Sequence, residues 1–251
     1  MIEQKSKNGP RRRGVQQKVF LLAPLALAIS SQAVGQAVPG GTLDPLTIPK
    51  YVTDLVIPPV LFDDEDGTVP LNVEVALRQI TQQVLPPPLP ATPLWGYGDP
   101  ATPASFNNPA FTIEVTRNIP TTVKWTNGLV DGTGAPLQHI IQDANGNPLI
   151  DQTLHWAAPN RDCLDSIPRT DCRGASDQPY TGPVPMVTHV HGAHVGPKSD
   201  GYPEAWWLPA GADPALYASE GTFYASAPGC ISGDGCAVFE YTNDQPSTTL
   251  W

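Results

Sequence analysis

The sequence predicts an all-β protein, a Greek-key sandwich of short strands, and three features carry that prediction. Thirty of the 251 residues are proline, which fixes φ and removes backbone donors, so long helices are disfavoured and turns are frequent. Several segments alternate apolar and polar residues with the period of two expected of a strand with one buried face. Between them lie turn-rich stretches, the longest at 128–183, which suit the crossovers of a sandwich. No internal repeat is evident. Hydrophobic residues make up 40% and charged residues 15%, a composition that folds.

In chain order, residues 1–37 read as an export signal. Lys5, Lys7, Arg11, Arg12, Arg13 and Lys18 form a basic region, Val19 to Ile29 an apolar run broken by Pro24, and Gly35 and Ala37 supply small residues for a cleavage site. An uncleaved anchor is the competing reading; the run is too short to span a bilayer. The arginine run fits the twin-arginine route, but Gly14-Val15-Gln16-Gln17 departs from it, so the route stays open. The expected location is outside the cytoplasm, periplasmic or extracellular. Removing the signal takes away six basic residues and one acidic, moving the formal charge from −10 to −15. A domain that acidic is unsuited to nucleic acid and to anionic membranes.

Residues 38–66 read as an extended, proline-rich arm, and 67–251 as the folded domain. Leu71 to Arg78 alternates with Leu71, Val73, Val75 and Leu77 on one face. A proline cluster at 86–93 precedes Leu94-Trp95-Gly96-Tyr97-Gly98. Phe111 to Val115 alternates again, as does Thr121 to Asn127, with Val123 and Trp125 inward. Val184 to His191 and Ala237 to Tyr241 are further strands, and Leu250-Trp251 reads as the start of one more.

Four cysteines in an exported chain read as disulfides, with Cys163–Cys172 and Cys230–Cys236 the simplest of three connectivities. A zinc or copper thiolate site is the alternative, and the spacing is wider than metal knuckles use.

His189-Val190-His191 carries the chemistry. Residues two apart on a strand share a face, so both imidazoles leave the sheet in one direction, roughly 6.5 Å apart at their bases. That spacing suits one metal ion or two side by side, and imidazole serves copper, zinc and iron alike. A hydrogen-bonded histidine pair at a sheet edge is the competing reading. His194 falls outside the alternation, and His139 and His155 lack ligand spacing.

His189 opens the stretch HVHGAHVGPKSDGYPEAWWLP, ending at Pro209. It resembles the first copper-binding segment of multicopper oxidases, in the branch of bacterial spore-coat laccases and bilirubin oxidases, which carries H-[LV]-H-G and then S-D-G-x-P-E-A-W. Here these are His189-Val190-His191-Gly192 and Ser199 to Trp206. Leu94 to Tyr97, Thr112 to Asn118, Val123 to Trp125 and the arm from Leu43 to Pro59 are similar in order, so the resemblance covers roughly residues 42–251.

The resemblance implies a cupredoxin-like sandwich, incomplete at its C-terminal end, in an enzyme that oxidises a reducing substrate and reduces O2 to water. It implies copper, with His189 on the type 2 ion and His191 on a type 3 ion. Asp200 matches an acidic residue that assists proton delivery, a general-acid role. A turn cap in Ser-Asp-Gly is its competing reading. Trp206 and Trp207 are read as packing.

The further H-x-H motifs and the Cys/His type 1 site of the family are not matched, so the chain is expected to be an N-terminal fragment, inactive alone. A phenol, a pigment or a metal ion all remain open as substrate. A non-enzymatic copper-binding or assembly module is the alternative, against which an open sheet edge counts. A dinuclear zinc hydrolase fails on Ala193, where that pattern has Asp.

Overall fold

The computed structural model describes residues 44–64, 67–138 and 180–246. Among the described residues six strands carry the fold: β1 (Val60–Asp63), β2 (Leu71–Gln82), β3 (Thr92–Gly98), β4 (Thr112–Glu114), β5 (Thr121–Asn127) and β6 (Cys236–Tyr241). Four form one mixed sheet in the order β3-β2-β5-β6, and β1 and β4 pair as a second, two-stranded sheet. The described helices are three three-residue 3-10 turns, each with proline at its start. The fold is therefore all-β, a cupredoxin-like sandwich, and among the described residues its sheets stay open rather than closing into a barrel.

The sequence explains which strand is central. In β2 both Val75 and Ala76 are almost wholly buried, so both faces are covered at mid-strand. β2 runs antiparallel to β3 and parallel to β5, and β5 antiparallel to β6. The register aligns Val75 with Trp125 and Trp125 with Ala237, while Val123 lies opposite Phe239. Period-two alternation thus turns Val73, Val75, Leu77, Tyr97, Val123, Trp125, Phe239 and Tyr241 to one side, where they meet Phe62 of β1 and Ile113 of β4. The half-buried Trp125 indole N–H donates to the Tyr241 hydroxyl at 3.1 Å, whereas the buried Trp207 indole N–H of the same cluster finds no partner among the described residues. On the opposite face Glu74 accepts from Thr126 at 2.7 Å and pairs with Lys124 at 3.4 Å. Both charged side chains are over a third exposed, so the ion pair contributes little.

β3 reaches its position because two of its residues are glycine. A Cβ on Gly98 would fall 2.5 Å from the Phe106 ring, and that ring carries the Arg78 guanidinium 4.5 Å from its centroid.

The expected strands at 71–78, 111–115, 121–127 and 237–241 are present, with β2 running four residues further. Two expectations are corrected. Val60–Asp63, assigned to the extended arm, is a strand paired in parallel with β4. Val184 to His191 is extended but lacks a ladder. Its one bridge joins Met186 to Trp207, by reciprocal backbone bonds of 2.9 Å. The next ladder positions on the partner segment are Pro209, which has no N–H, and Ala205, whose N–H is spent on the Tyr202 carbonyl at 2.8 Å, so the pairing does not propagate. The remaining described part of the arm, 44–59, leaves Leu46, Tyr51, Leu55 and Ile57 exposed. Leu250 and Trp251 and the signal segment lie outside the described residues.

Candidate metal centre

The segment that carries the histidines is held by one buried side chain. Asn127, at the end of β5 and 3% exposed, donates through Nδ2 to the Val184 carbonyl at 2.9 Å and the Trp207 carbonyl at 3.1 Å. Its Oδ1 accepts from the Leu129 N–H at 3.3 Å. Those two carbonyls flank the Met186–Trp207 bridge, so the amide fastens both extended segments to the sheet. Trp207 then packs edge-on against Phe239, ring centroids 6.0 Å apart, while Trp206 enters a separate cluster with Leu208 and Ala218. Both tryptophans are packing residues, turned to opposite sides by the alternation.

Along the segment Val184, Met186 and Thr188 are buried, whereas Val187, His189 and His191 are exposed. The two imidazoles therefore share the outward side, with ring centroids 6.2 Å apart and planes nearly perpendicular, at 86°. Directly after His191 the chain turns on Gly192, whose φ of +79° lies in the left-handed region that glycine tolerates.

Loop 192–201 returns to the same place. It is fixed to β6 and its continuation by three contacts. His194 Nδ1 lies 3.0 Å from both carboxylate oxygens of Asp244, Thr242 Oγ1 lies 2.6 Å from the His194 carbonyl, and the Glu240 N–H donates to Ser199 Oγ at 3.0 Å. The Thr242 hydroxyl, and then His194, hold the Asp244 carboxyl below its ordinary value. His194 is thus engaged away from His189 and His191, in line with its position outside the alternation.

The loop ends in the 3-10 turn Pro197–Ser199, with Asp200 as its C-terminal flank. The Asp200 backbone carbonyl accepts a hydrogen bond from His189 Nδ1. Its carboxylate Oδ1 lies farther from the same nitrogen, at 3.6 Å, and a third of the side chain is exposed. Gly201 makes this approach possible. Its φ is +76°, and a Cβ there would fall 1.8 Å from the Thr188 carbonyl oxygen and 3.1 Å from the His189 Cα.

The two imidazoles, open to solvent and on one side, fit a soft-to-borderline transition metal such as copper as part of a ligand set. Among the described residues no third His, Cys, Asp or Glu completes a cluster with them. Cys230 and Cys236 lie with Cα atoms 5.8 Å apart and their sulfurs facing each other, a candidate disulfide. His139, His155, Cys163 and Cys172 lie outside the described residues. Sequence reasoning missed Asn127, Gly201 and the His194–Asp244 pair. Of these only Gly201 left a local signal, a glycine following Asp at the end of a loop.

No family model matches the chain. Over 207 residues it is 30% identical to a protein named laccase from Bacillus subtilis (strain 168), covering 82% of this chain and 29% of that one. Over 206 residues it is 28% identical to a laccase from Bacillus stratosphericus, again 82% and 29% of the two chains. The archaeal laccase of Haloferax volcanii is 30% identical over 170 residues, covering 66% of this chain and 23% of the relative. The chain thus spans less than a third of the length of these curated relatives.

Proposed function

The chain belongs to the multicopper oxidase family, and from that premise we propose that it contributes His189 and His191 to the copper cluster of an oxidase. That oxidase couples one-electron oxidation of a reducing substrate to reduction of O2 to water. Copper, when bound, supplies the electron transfer. The observation that carries this reading is the exposure of both imidazoles on one side of an extended segment, 6.2 Å apart. His189 is assigned to the type 2 ion and His191 to a type 3 ion, following the family resemblance.

Asp200 is the residue proposed to pass protons toward the cluster. Its carboxylate is partly exposed and Oδ1 lies 3.6 Å from His189 Nδ1, so it stands between solvent and a proposed ligand, the place for a general acid. In this proposal residues 1–37 direct export, 38–59 form the arm, and the first cupredoxin-like domain begins with β1 at Val60. The candidate disulfide Cys230–Cys236 agrees with an oxidising compartment. No helix among the described residues is long and apolar enough to cross a membrane. The substrate is a phenol, a pigment or a metal ion.

The test is Cu(II) binding to the purified chain, read by calorimetry and by electron paramagnetic resonance for nitrogen ligation. His189→Ala and His191→Ala are each expected to weaken binding at least tenfold, and the double variant to remove the nitrogen-ligated signal. Unchanged binding in the double variant overturns the assignment.

A further inference from the structure

We infer that Gly201 is a positioning residue, which presses the Asp200 main chain against His189 and thereby fixes which ring nitrogen that histidine offers to a metal. This rests on the copper reading above for its purpose, though not for its chemistry. A neutral imidazole has one N–H and one lone pair, and a backbone carbonyl can only accept. The nitrogen facing the Asp200 carbonyl, Nδ1, must therefore carry the hydrogen. Nε2 is left as the bare lone pair, and His189 is exposed on that outward side. A carbonyl or carboxylate on the far nitrogen is the usual device for orienting a ligand histidine and raising its basicity.

The carboxylate of Asp200 is the obvious rival for the N–H, but at 3.6 Å it lies beyond hydrogen-bond range. The backbone performs the task, and it does so through the next residue. With a Cβ at position 201 the Thr188 carbonyl would be met at 1.8 Å, so any side chain there pushes the loop off the histidine segment. A φ of +76° adds strain for every residue but glycine. The glycine that follows the acidic residue thus acts on the histidine twelve positions earlier without touching its ring.

The experiment is long-range 1H–15N NMR of the metal-free, 15N-labelled chain near pH 8.5, about two units above the ordinary histidine pKa. His189 is assigned by its loss in His189→Gln. The expected result is a protonated Nδ1 and an unprotonated Nε2 for His189. In Gly201→Ala the ring should relax toward the Nε2–H form that free histidine prefers, and Cu(II) affinity should fall about tenfold. Asp200→Asn keeps the carbonyl and should leave the tautomer unchanged. An Nε2–H tautomer in the unsubstituted chain overturns the inference, as does an Asp200→Asn shift as large as that of Gly201→Ala. Should Gly201→Ala not fold, the unsubstituted chain and Asp200→Asn still decide it. The expected tautomer without copper binding supports the positioning role and overturns the copper reading alone.

Discussion

Replacing Asn127 by alanine should be the most damaging single polar substitution in the described structure. Its amide makes three hydrogen bonds while 3% exposed. Truncation removes all three and leaves the carbonyls of Val184 and Trp207 without that donor. A typical net loss of about 1 kcal/mol per buried hydrogen bond gives about 3 kcal/mol, the desolvated carbonyls tending to raise it. For a domain of this size that is roughly 6–12 °C in Tm. Urea unfolding followed by tryptophan fluorescence reads the change directly, since Trp206 and Trp207 sit on the segment the amide holds. The expected signature is a lower midpoint with an unchanged m-value. A loss below about 1 kcal/mol at constant m would refute the view that this side chain staples the histidine segment to the sheet.

Removing the candidate disulfide with Cys230→Ala and Cys236→Ala should cost about 2 kcal/mol, the loop-closure entropy of so short a ring, and calorimetry should show a lower Tm; an unchanged Tm contradicts this. Alkali should also destabilise the fold. Burial holds the phenols of Tyr97, Tyr180 and Tyr241 protonated above their ordinary value. A raised folded-state pKa gives stabilisation that is complete below the unfolded value near 10 and lost as pH rises through the folded one. The unfolding free energy should therefore fall above about pH 10, by at most about 1.4 kcal/mol per pH unit for each tyrosine still protonated in the fold. Urea midpoints that stay flat to about pH 11 would contradict it.

Much of the sheet was legible because its strands bury one face. β5 alternates so regularly that Val123 and Trp125 are assigned inward from the sequence alone, and both join one cluster, where Phe239 and Tyr241 of β6 meet them. The same period-two argument put His189 and His191 on one side. That part of the expectation survives although the segment forms no ladder, because side-chain direction depends on extended backbone rather than on pairing. Val60–Asp63 was hidden for the opposite reason. Its partner, β4, is some fifty residues away and parallel, and parallel pairing leaves no turn signature between the strands. Asn127, Gly201 and Asp244 were illegible as site residues since each acts on a segment remote in sequence. Alternation reports which way a side chain points; it carries nothing about what arrives from elsewhere to meet it.

The β3-β2-β5-β6 order also sets a timetable for the chain as it is made. β2 and β3 are neighbours in sequence and can meet early, but the inner strand β5 finds its second neighbour only when β6 at Cys236–Tyr241 arrives, more than a hundred residues later. At a synthesis rate of roughly 5–20 residues per second that is several seconds or more. During that interval one side of β5 has no ladder partner, in a segment as apolar as Val123 and Trp125 make it. Such non-local closure slows folding and exposes the growing chain to wrong partners. A chaperone that shields β5 until β6 is made should therefore raise the soluble yield more than one acting after release.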